Sequence, residues 1–248
     1  MVFRPALWPT VFAILATGIL IWLGMWQLER LEWKNDLVTR VSERTELPAI
    51  PLPDATDWTS LDIDANEYRP VALDGTFNHL AEFHAFTSLG EPKGPLGGPG
   101  YWVLTPLVLT DGGTVLVNRG FVPADRKVRE SRLEGLPQGP VTITGLLRKS
   151  AGTGLFVPEP DLAKNIWYAR NVGAMAAHAG ITDAAPFYVD AHNRSVSDLP
   201  QGGETRLVFV NNHFDYALTW FGLAVALFAV YLGYHRSIGR LQFSKAST

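Results

Sequence analysis

A histidine and a carboxylate lie directly before an uncharged stretch near the end of the chain. They belong to the segment VNNHFDYALTW (210–220), and the residues from Tyr216 to Tyr234 carry no charge. An imidazole can exchange a proton or bind a metal, and a carboxylate can cap the N-terminus of a helix. His213 is therefore a candidate for chemistry at the edge of an apolar helix. The alternatives are that His213 only anchors the helix at a membrane surface and that Asp215 only caps it.

The other residues that could do chemistry form no catalytic set. The chain has no G-x-S-x-G nucleophile motif, no H-E-x-x-H zinc motif and no phosphate-binding loop. His79 and His84 are five residues apart, so on one strand they would point to opposite faces, which disfavours a shared metal. The run GPLGGPG (94–100) lacks the Lys-Ser/Thr pair of a phosphate-binding loop and is interpreted as a turn-rich loop. We therefore expect a protein that is not an enzyme.

The segment VNRGFVP (117–123) has two interpretations. In one, Arg119 is placed for an anionic group or a partner. In the other, Gly120 and Pro123 mark a bulge or a corner of a β-structure. The second interpretation is favoured.

The remaining histidines are not expected to have a chemical role. His178 belongs to a short predicted helix and His192 follows a predicted strand, and both are expected in solvent. His235 stands beside Arg236, directly after the uncharged stretch. We expect His235 to be an interfacial residue on the cytoplasmic side of a membrane.

Composition excludes several classes of protein. Cysteine is absent, so neither disulfides nor thiolate metal sites are available, and the three methionines are scattered. Because Cu(I) prefers soft sulfur ligands, a copper carrier is disfavoured. The formal net charge is −3 and no basic stripe is present, which disfavours nucleic acid as a partner.

Two apolar runs predict membrane-spanning helices. No residue from Pro5 to Leu28 is charged, and as a helix this run is about 36 Å long, against about 30 Å for a bilayer core. It lacks a cleavage site, and GMWQLERLEWK (24–34) continues its apolar face, so we expect a retained helix rather than a signal peptide. The predicted segments are a first span at 5–28 that extends as a helix to about 44, an extramembrane domain at 45–212, a second span at 214–234 and a tail at 235–248.

The distribution of charge bears on orientation. All 24 acidic residues lie between Glu29 and Asp215, whereas four basic residues lie outside that segment (Arg4, Arg236, Arg240 and Lys245). Positive-inside reasoning places both termini in the cytoplasm. Basic residues also flank the first span on the side of the domain, which opposes that assignment. The balance favours a domain outside the cytoplasm.

The segment between the spans is rich in β-strand patterns. A proline-rich linker (47–58) precedes it, and the TDGG turn at 110–113 between two apolar runs predicts a hairpin. One short helix is predicted at Val172–Ala179, with Asn171 as its N-cap and Gly180 beyond its end. About seven short strands and one helix predict a mainly-β domain, either a small barrel or a sandwich. Strands are predicted at 68–77, 81–89, 101–109, 114–122, 140–149, 186–191 and 205–210.

Five segments, in order over nearly the whole chain, match the pattern of one family. They are GMWQLERLEWK (24–34), PGYWVLTPL with VLVNRGFVP (99–123), VTITGLLR (141–148), IWYARNVGAMA (166–176) and VNNHFDYALTWFGLA (210–224). Together they resemble the Surfeit locus protein 1 family of cytochrome c oxidase biogenesis factors.

The resemblance implies a non-enzymatic factor that binds haem a and aids its insertion into the large catalytic subunit of the oxidase. The partners that it implies are haem a, that large subunit and haem a synthase, with membrane lipid around the spans. It also implies a bacterial inner membrane, with the domain in the periplasm and both termini in the cytoplasm.

The resemblance further implies where haem a would bind. With both termini cytoplasmic, the outer end of the first span and the outer start of the second lie at the same depth. His213 would be the axial ligand to iron, and a cleft between apolar helices suits the macrocycle. The other residues assigned to this site are Trp26 and Trp220 beside the ring, Arg30 and Arg206 on the propionates, and Gln27.

Two other functions stay open at this point. One is a membrane scaffold that docks oxidase subunits without touching a cofactor, and the other is an envelope enzyme, for which the sequence shows no catalytic set. The visible absorption spectrum of the purified protein would separate a haem a carrier from a scaffold.

Overall fold

The computed structural model describes residues 2–152, 154, 157–192, 199–205 and 211–242. The chain divides into two compact units, one formed by Met1–Arg40 and Leu207–Thr248 and the other by Val41–Arg206. The helices and strands, in chain order, are β1 (Val2–Phe3), α1 (Leu7–Thr45), β2 (Ile50–Pro51), α2 (Ile63–Asn66), β3 (Pro70–Phe77), β4 (Phe83–Leu89), β5 (Gly98–Leu109), β6 (Thr114–Pro123), β7 (Pro140–Lys149), α3 (Val172–Ala179), β8 (Ala184–Ala191), α4 (His213–Ser237) and β9 (Leu241–Gln242).

Each of the two long helices contains an apolar stretch that is long enough to cross a membrane. Their lengths are about 58 Å for α1 and 37 Å for α4 at roughly 1.5 Å per residue. In the most apolar stretch of each helix, only 6% of α1 and 11% of α4 is buried within the protein. A core helix of a soluble domain would be mostly buried, so both helices are candidate membrane spans. Pro9 is tolerated in the first turn of α1 because the amide nitrogens there have no helical partner.

The second unit contains a closed five-stranded barrel. Its strands follow the order β3, β7, β8, β6, β5, and the barrel closes where β5 pairs with β3. The pairings within the barrel are antiparallel except between β6 and β8. Two long apolar helices around a mainly-β domain were predicted and are confirmed, and of the two predicted architectures the barrel is the one that forms. The predicted strand at 205–210 lies almost wholly outside the described residues.

Local turn and cap chemistry explains two elements of this unit. β5 and β6 form the predicted hairpin, and its turn contains Gly112 and Gly113 at φ +100° and +81°, values that glycine adopts readily. α3 has the predicted bounds. The side chain of Asn171 accepts a hydrogen bond from the Ala174 amide, and Gly180 ends the helix in the left-handed conformation.

Strand β6 is buried on both faces, which explains its nearly continuous apolar sequence. Val115 and Val117 point into the barrel core beside Phe187. Leu116 points the other way, into a second cluster with Met175 of α3 and Trp167. The helix therefore covers an outer face of the barrel that would otherwise be exposed.

The VNRGFVP segment forms a bulge in β6. Gly120 pairs with Val103 and Asn118 with Leu104, so Arg119 is the extra residue between two consecutive partners. Gly120 has φ +132°, and a side chain there would collide with the backbone of Gln201. The favoured interpretation is confirmed. Arg119 donates to the carbonyl of Gly135 rather than facing solvent.

The glycine-rich loop before β5 is held by a later segment of the chain. The buried carboxylate of Glu204 accepts hydrogen bonds from the amides of Lys93 and Gly94, at 2.8 and 2.7 Å. The side chain of Gln201 bonds both the amide and the carbonyl of Leu96. The loop is thus a turn that is held in place by hydrogen bonds to Gln201 and Glu204.

The free edge of strand β4 is partly covered. β4 pairs with β5 on one side. On the other side Trp167 donates to the carbonyl of His84 at 2.9 Å and accepts from the amide of Phe86 at 2.7 Å. A short parallel bridge thereby replaces a further strand.

A buried carboxylate connects three strands of the barrel. Asp190 on β8 is 2% exposed and accepts from Asn118 Nδ2 on β6 at 2.7 Å and from Arg148 Nη1 on β7 at 2.8 Å. The guanidinium of Arg148 also lies over the ring of Tyr68, 4.5 Å from its centroid. Removing the carboxylate would leave a buried cation and a buried amide without their partner.

We predict that Asp190→Ala destabilises the barrel by about 3–5 kcal/mol, the usual cost of breaking a buried ion pair from one side. The measurement is the free energy of unfolding of the detergent-purified protein by circular dichroism. Asp64→Ala is the matched control, because Asp64 pairs with Lys149 on the exposed surface and its loss should leave the unfolding transition unchanged. Equal effects of the two substitutions would contradict the structural role of Asp190.

Candidate functional site

Helices α1 and α4 run antiparallel and meet along one seam. The seam is a series of contacts between residues whose numbers rise in one helix and fall in the other. They pair Ala6 with His235, Thr10 with Tyr231, Gly24 with Phe221, Gln27 with His213, and Asn35 with Asn211.

Small residues allow the two helices to approach closely. Gly24 on α1 is buried, and a Cβ atom placed there would lie 2.5 Å from the ring of Phe221. On α4 the buried residues nearest this contact are Ala217 and Ala224, one heptad apart. Small residues at the contact are typical of helix pairs in membranes, where lipid removes the hydrophobic driving force for association.

The hydrogen bond between His213 and Gln27 orients the imidazole. His213 Nδ1 lies 2.7 Å from Oε1 of Gln27. An amide oxygen can only accept, so Nδ1 donates in this bond. The other ring nitrogen, Nε2, has no partner among the groups in the described part of the chain. Metal-binding histidines are commonly oriented by such a bond from the other ring nitrogen.

A second polar group in the seam, the indole nitrogen of Trp220, has no partner within the described ranges. Trp220 follows His213 by seven residues and therefore lies on the same face of α4, two turns further along. Its indole Nε1 is buried and, among the described residues, has no hydrogen-bond acceptor. Leaving a buried donor unpaired costs about 1–3 kcal/mol. The site thus has one ring nitrogen and one indole donor on the same helix face, neither with a partner among the described residues.

The remaining predicted site residues do not join this contact. Trp26 is 41% exposed. Arg30 is exposed, and its guanidinium lies over the ring of Trp33, 5.0 Å from the centroid. Arg206 lies outside the described residues. The structure therefore brings His213 together with Gln27 and places Trp220 in the same seam, while Trp26 and Arg30 lie on the exposed surface of α1.

Asp215 fits the alternative role that was weighed for it, that of a carboxylate at the N-terminal end of α4. Asp215 is exposed in the first turn of the helix, where a negative charge interacts favourably with the helix dipole. Asn212 is the N-cap residue but makes no side-chain capping bond. Asn211 Nδ2 instead donates to Asn35 Oδ1 at 2.9 Å. This asparagine pair extends the seam and was not predicted.

His235 has a structural role that was not predicted. Its side chain is fully buried within the protein. Nδ1 donates to the carbonyl of Tyr231 at 2.9 Å, and Nε2 accepts from the amide of Ala6 at 3.0 Å. His235 thereby bonds an otherwise unpaired amide just before α1. The signal that was missed is its spacing from His213, Ala217, Ala224 and Tyr231, which places all five on one helix face.

Comparisons with known proteins give one consistent result. The model of the SURF1 family matches residues 14–225. The chain is 37% identical to Surfeit locus protein 1 of Gallus gallus over 231 residues, covering 88% of this chain and 72% of that protein. It is 37% identical to Surfeit locus protein 1 of Homo sapiens over 217 residues, covering 82% and 70%. A SURF1-like protein of Drosophila melanogaster is 32% identical over 246 residues, covering 94% and 78%.

Proposed function

The chain belongs to the SURF1 family, and from this premise we propose that it is a non-catalytic biogenesis factor for haem-copper cytochrome c oxidase. In this role it binds haem a and aids the insertion of haem a into the large catalytic subunit. The observation that carries the proposal is the bond between His213 Nδ1 and Gln27 Oε1, which leaves Nε2 free to bind iron. Partners in the same proposal are the large subunit and haem a synthase.

The residues of the seam are chemically suited to haem a. Haem a has an apolar macrocycle and tail, which suit the surface of two apolar helices, and an iron that takes a neutral imidazole as axial ligand. Gln27 holds the ring of His213 in one orientation and favours the tautomer that coordinates through Nε2. The free Nε1 of Trp220 would donate to an oxygen on the periphery of the macrocycle.

Arginines near this end of the helices would meet the two propionates. Arg30 stacks on Trp33 at an exposed position, where a cation–π contact contributes only about 0.5–1 kcal/mol. Such a contact is readily exchanged for a carboxylate. We assign Arg206 the same role by its place in the sequence, and Trp26 a contact with the edge of the macrocycle.

We predict that His213→Ala abolishes the low-spin haem spectrum, because the axial nitrogen is lost. Gln27→Leu should retain the ligand but lower haem affinity by about 10–100-fold, the usual effect of removing a group that orients a metal ligand. The measurement is the visible absorption of the detergent-purified protein from cells that make haem a, followed by titration with haem.

The matched control is His192→Ala, because His192 is exposed in the β-barrel unit. It should leave the spectrum unchanged. His235→Ala is unsuitable as a control, since both of its ring nitrogens bond groups at the other end of the helix pair. An unchanged spectrum in His213→Ala would contradict the ligand assignment and favour a scaffold that docks oxidase subunits without haem.

Deletion of the gene should lower cytochrome oxidase activity and the haem a content of the large subunit, because insertion then proceeds without its carrier. Transcription of the oxidase genes should stay constant. Spectra of isolated membranes and immunoblots of the large subunit measure the two effects. An oxidase with its full haem content in the deletion strain would exclude the assembly role.

We also propose that the protein lies in a bacterial inner membrane, with both termini in the cytoplasm and the barrel in the periplasm. Support comes from Arg236 and Arg240 directly beyond the apolar part of α4. A phosphatase fused at Asp111, in the exposed β5–β6 turn, should be active, and a cytoplasmic reporter there should be silent. The opposite pattern would reverse the topology.

A further inference from the structure

A buried carboxylate in the barrel unit holds two loops together. Glu82 precedes β4 and is 8% exposed. Its Oε1 accepts from Arg132 Nη2 in the loop after β6, and it lies 3.2 Å from His84 Nε2. The backbone carbonyl of Glu82 accepts from Asn165 Nδ2 at 2.8 Å. The loops at 127–132 and 161–165 are thereby both hydrogen-bonded to Glu82.

The carboxylate is ionised in this environment. Burial by itself raises the pKa of Glu82, but the hydrogen bond from His84 and the charge of Arg132 outweigh that effect, and the pKa lies below its ordinary value. Arg132 is also fixed by a contact of Nη2 with the carbonyl of Lys127 at 3.3 Å. The position of Lys127 therefore depends on the buried pair.

Both loops place cations around one cleft. The cleft has a volume of about 270 Å³, and Lys127, Arg129 and Lys164 line it together with His79. Arg129 is held by a bond from Nη1 to the carbonyl of His79 at 3.2 Å. Lys127 donates from Nζ to the backbone carbonyl of Lys164, and the exposed ammonium of Lys164 lies 3.1 Å from Asp161.

Positive charge is in excess at this cleft, although the whole chain is negative. Its cations are Lys127, Arg129, Lys164 and the buried Arg132, and its carboxylates are Glu82, Glu130 and Asp161. Arg119 adds a further cation beside His79. The formal net charge of the protein is −3, so this concentration does not follow from composition.

The cations here repel one another. Burial lowers the pKa of Lys127, and the charge of Lys164 adds to that effect against the attraction of Asp161. Burial and the charge of Arg132 lower the pKa of Arg119 to about 10. The pKa of His79 is lowered by burial, which outweighs its bond to Pro137, and by Arg119. Cations held close to one another in this way create a local positive potential that attracts an anion.

A metal ion does not fit the same cleft. His79, Glu82 and His84 all line it, but no group of three histidine or acidic side chains among residues 2–152, 154, 157–192, 199–205 and 211–242 could hold a metal. The surrounding cations would also repel one. The ligand that fits is an anion.

We propose that this cleft binds a phosphate group through Lys127, Arg129 and Lys164. A phosphate group carries one negative charge as a lipid diester and up to two as the free ion, and it presents at least two anionic oxygens to the cations that line the cleft. The phosphate has two sources, free inorganic phosphate and the headgroup of an anionic phospholipid. The site lies wholly in the barrel unit and does not depend on haem binding by the helices.

The test is calorimetric titration of the full chain in neutral detergent and phosphate-free buffer. One arm uses inorganic phosphate and the other uses soluble dihexanoyl phosphatidylglycerol. Lys127→Gln and Lys164→Gln should each weaken binding by roughly tenfold or more, since each removes a charge-assisted hydrogen bond. Lys149→Gln is the control, because Lys149 is an exposed lysine that already pairs with Asp64.

A response to inorganic phosphate identifies the free ion as the ligand, and a response to the lipid alone identifies the headgroup. Circular dichroism verifies that each variant is folded. The proposal is overturned if the wild-type protein binds neither probe. It is also overturned if Lys149→Gln weakens binding as much as the two cleft variants do.

Discussion

Charge removed from water must be compensated, and this constraint organises the barrel unit. Its buried carboxylates are Asp190, Glu82 and Glu204, within the described ranges, and each accepts hydrogen bonds from segments remote in sequence. Because an unpaired buried charge is costly, each carboxylate fixes the segments around it. Strands β6, β7 and β8, the two loops around the cationic cleft, and the glycine-rich loop before β5 are positioned in this way.

The helical unit follows a different rule. In lipid, apolar contact contributes little to helix association, so the helices need close packing and interhelical hydrogen bonds. Gly24 allows the close packing. The interhelical hydrogen bonds are those of Thr10 with Tyr231 and of Gln27 with His213. The bond between Gln27 and His213 contributes to the pairing of the helices, and it is also the bond on which the proposed ligand role of His213 rests. Structure and proposed function therefore depend on the same contact.

Local patterns predicted what local chemistry determines. The two apolar helices, the hairpin at Gly112 and Gly113, and the capped helix α3 could all be read from neighbouring residues. Closure of the barrel could not, because it rests on the pairing of β3 with β5, which no periodicity encodes. The burial of His235 was missed for a related reason, since its partner Ala6 is 229 residues away.

Only part of the candidate site between α1 and α4 could be predicted from the sequence. His213 and Gln27 were assigned together through the family resemblance, but their direct bond depends on the register of two helices. The exposed stacking of Arg30 on Trp33 is a local contact within α1 that the assignment to a propionate did not consider. The cleft at Glu82 was not foreseen, because its cations come from two loops that have no regular pattern.

The contact of Trp167 with β4 limits how the barrel can meet other proteins. An uncovered strand edge invites a further strand, which leads either to aggregation or to recognition of an extended peptide. Here the edge groups of His84 and Phe86 are already bonded to Trp167 in the middle of β4. An extended peptide cannot extend this sheet through that position. Recognition of any partner by this face must therefore rely on side chains.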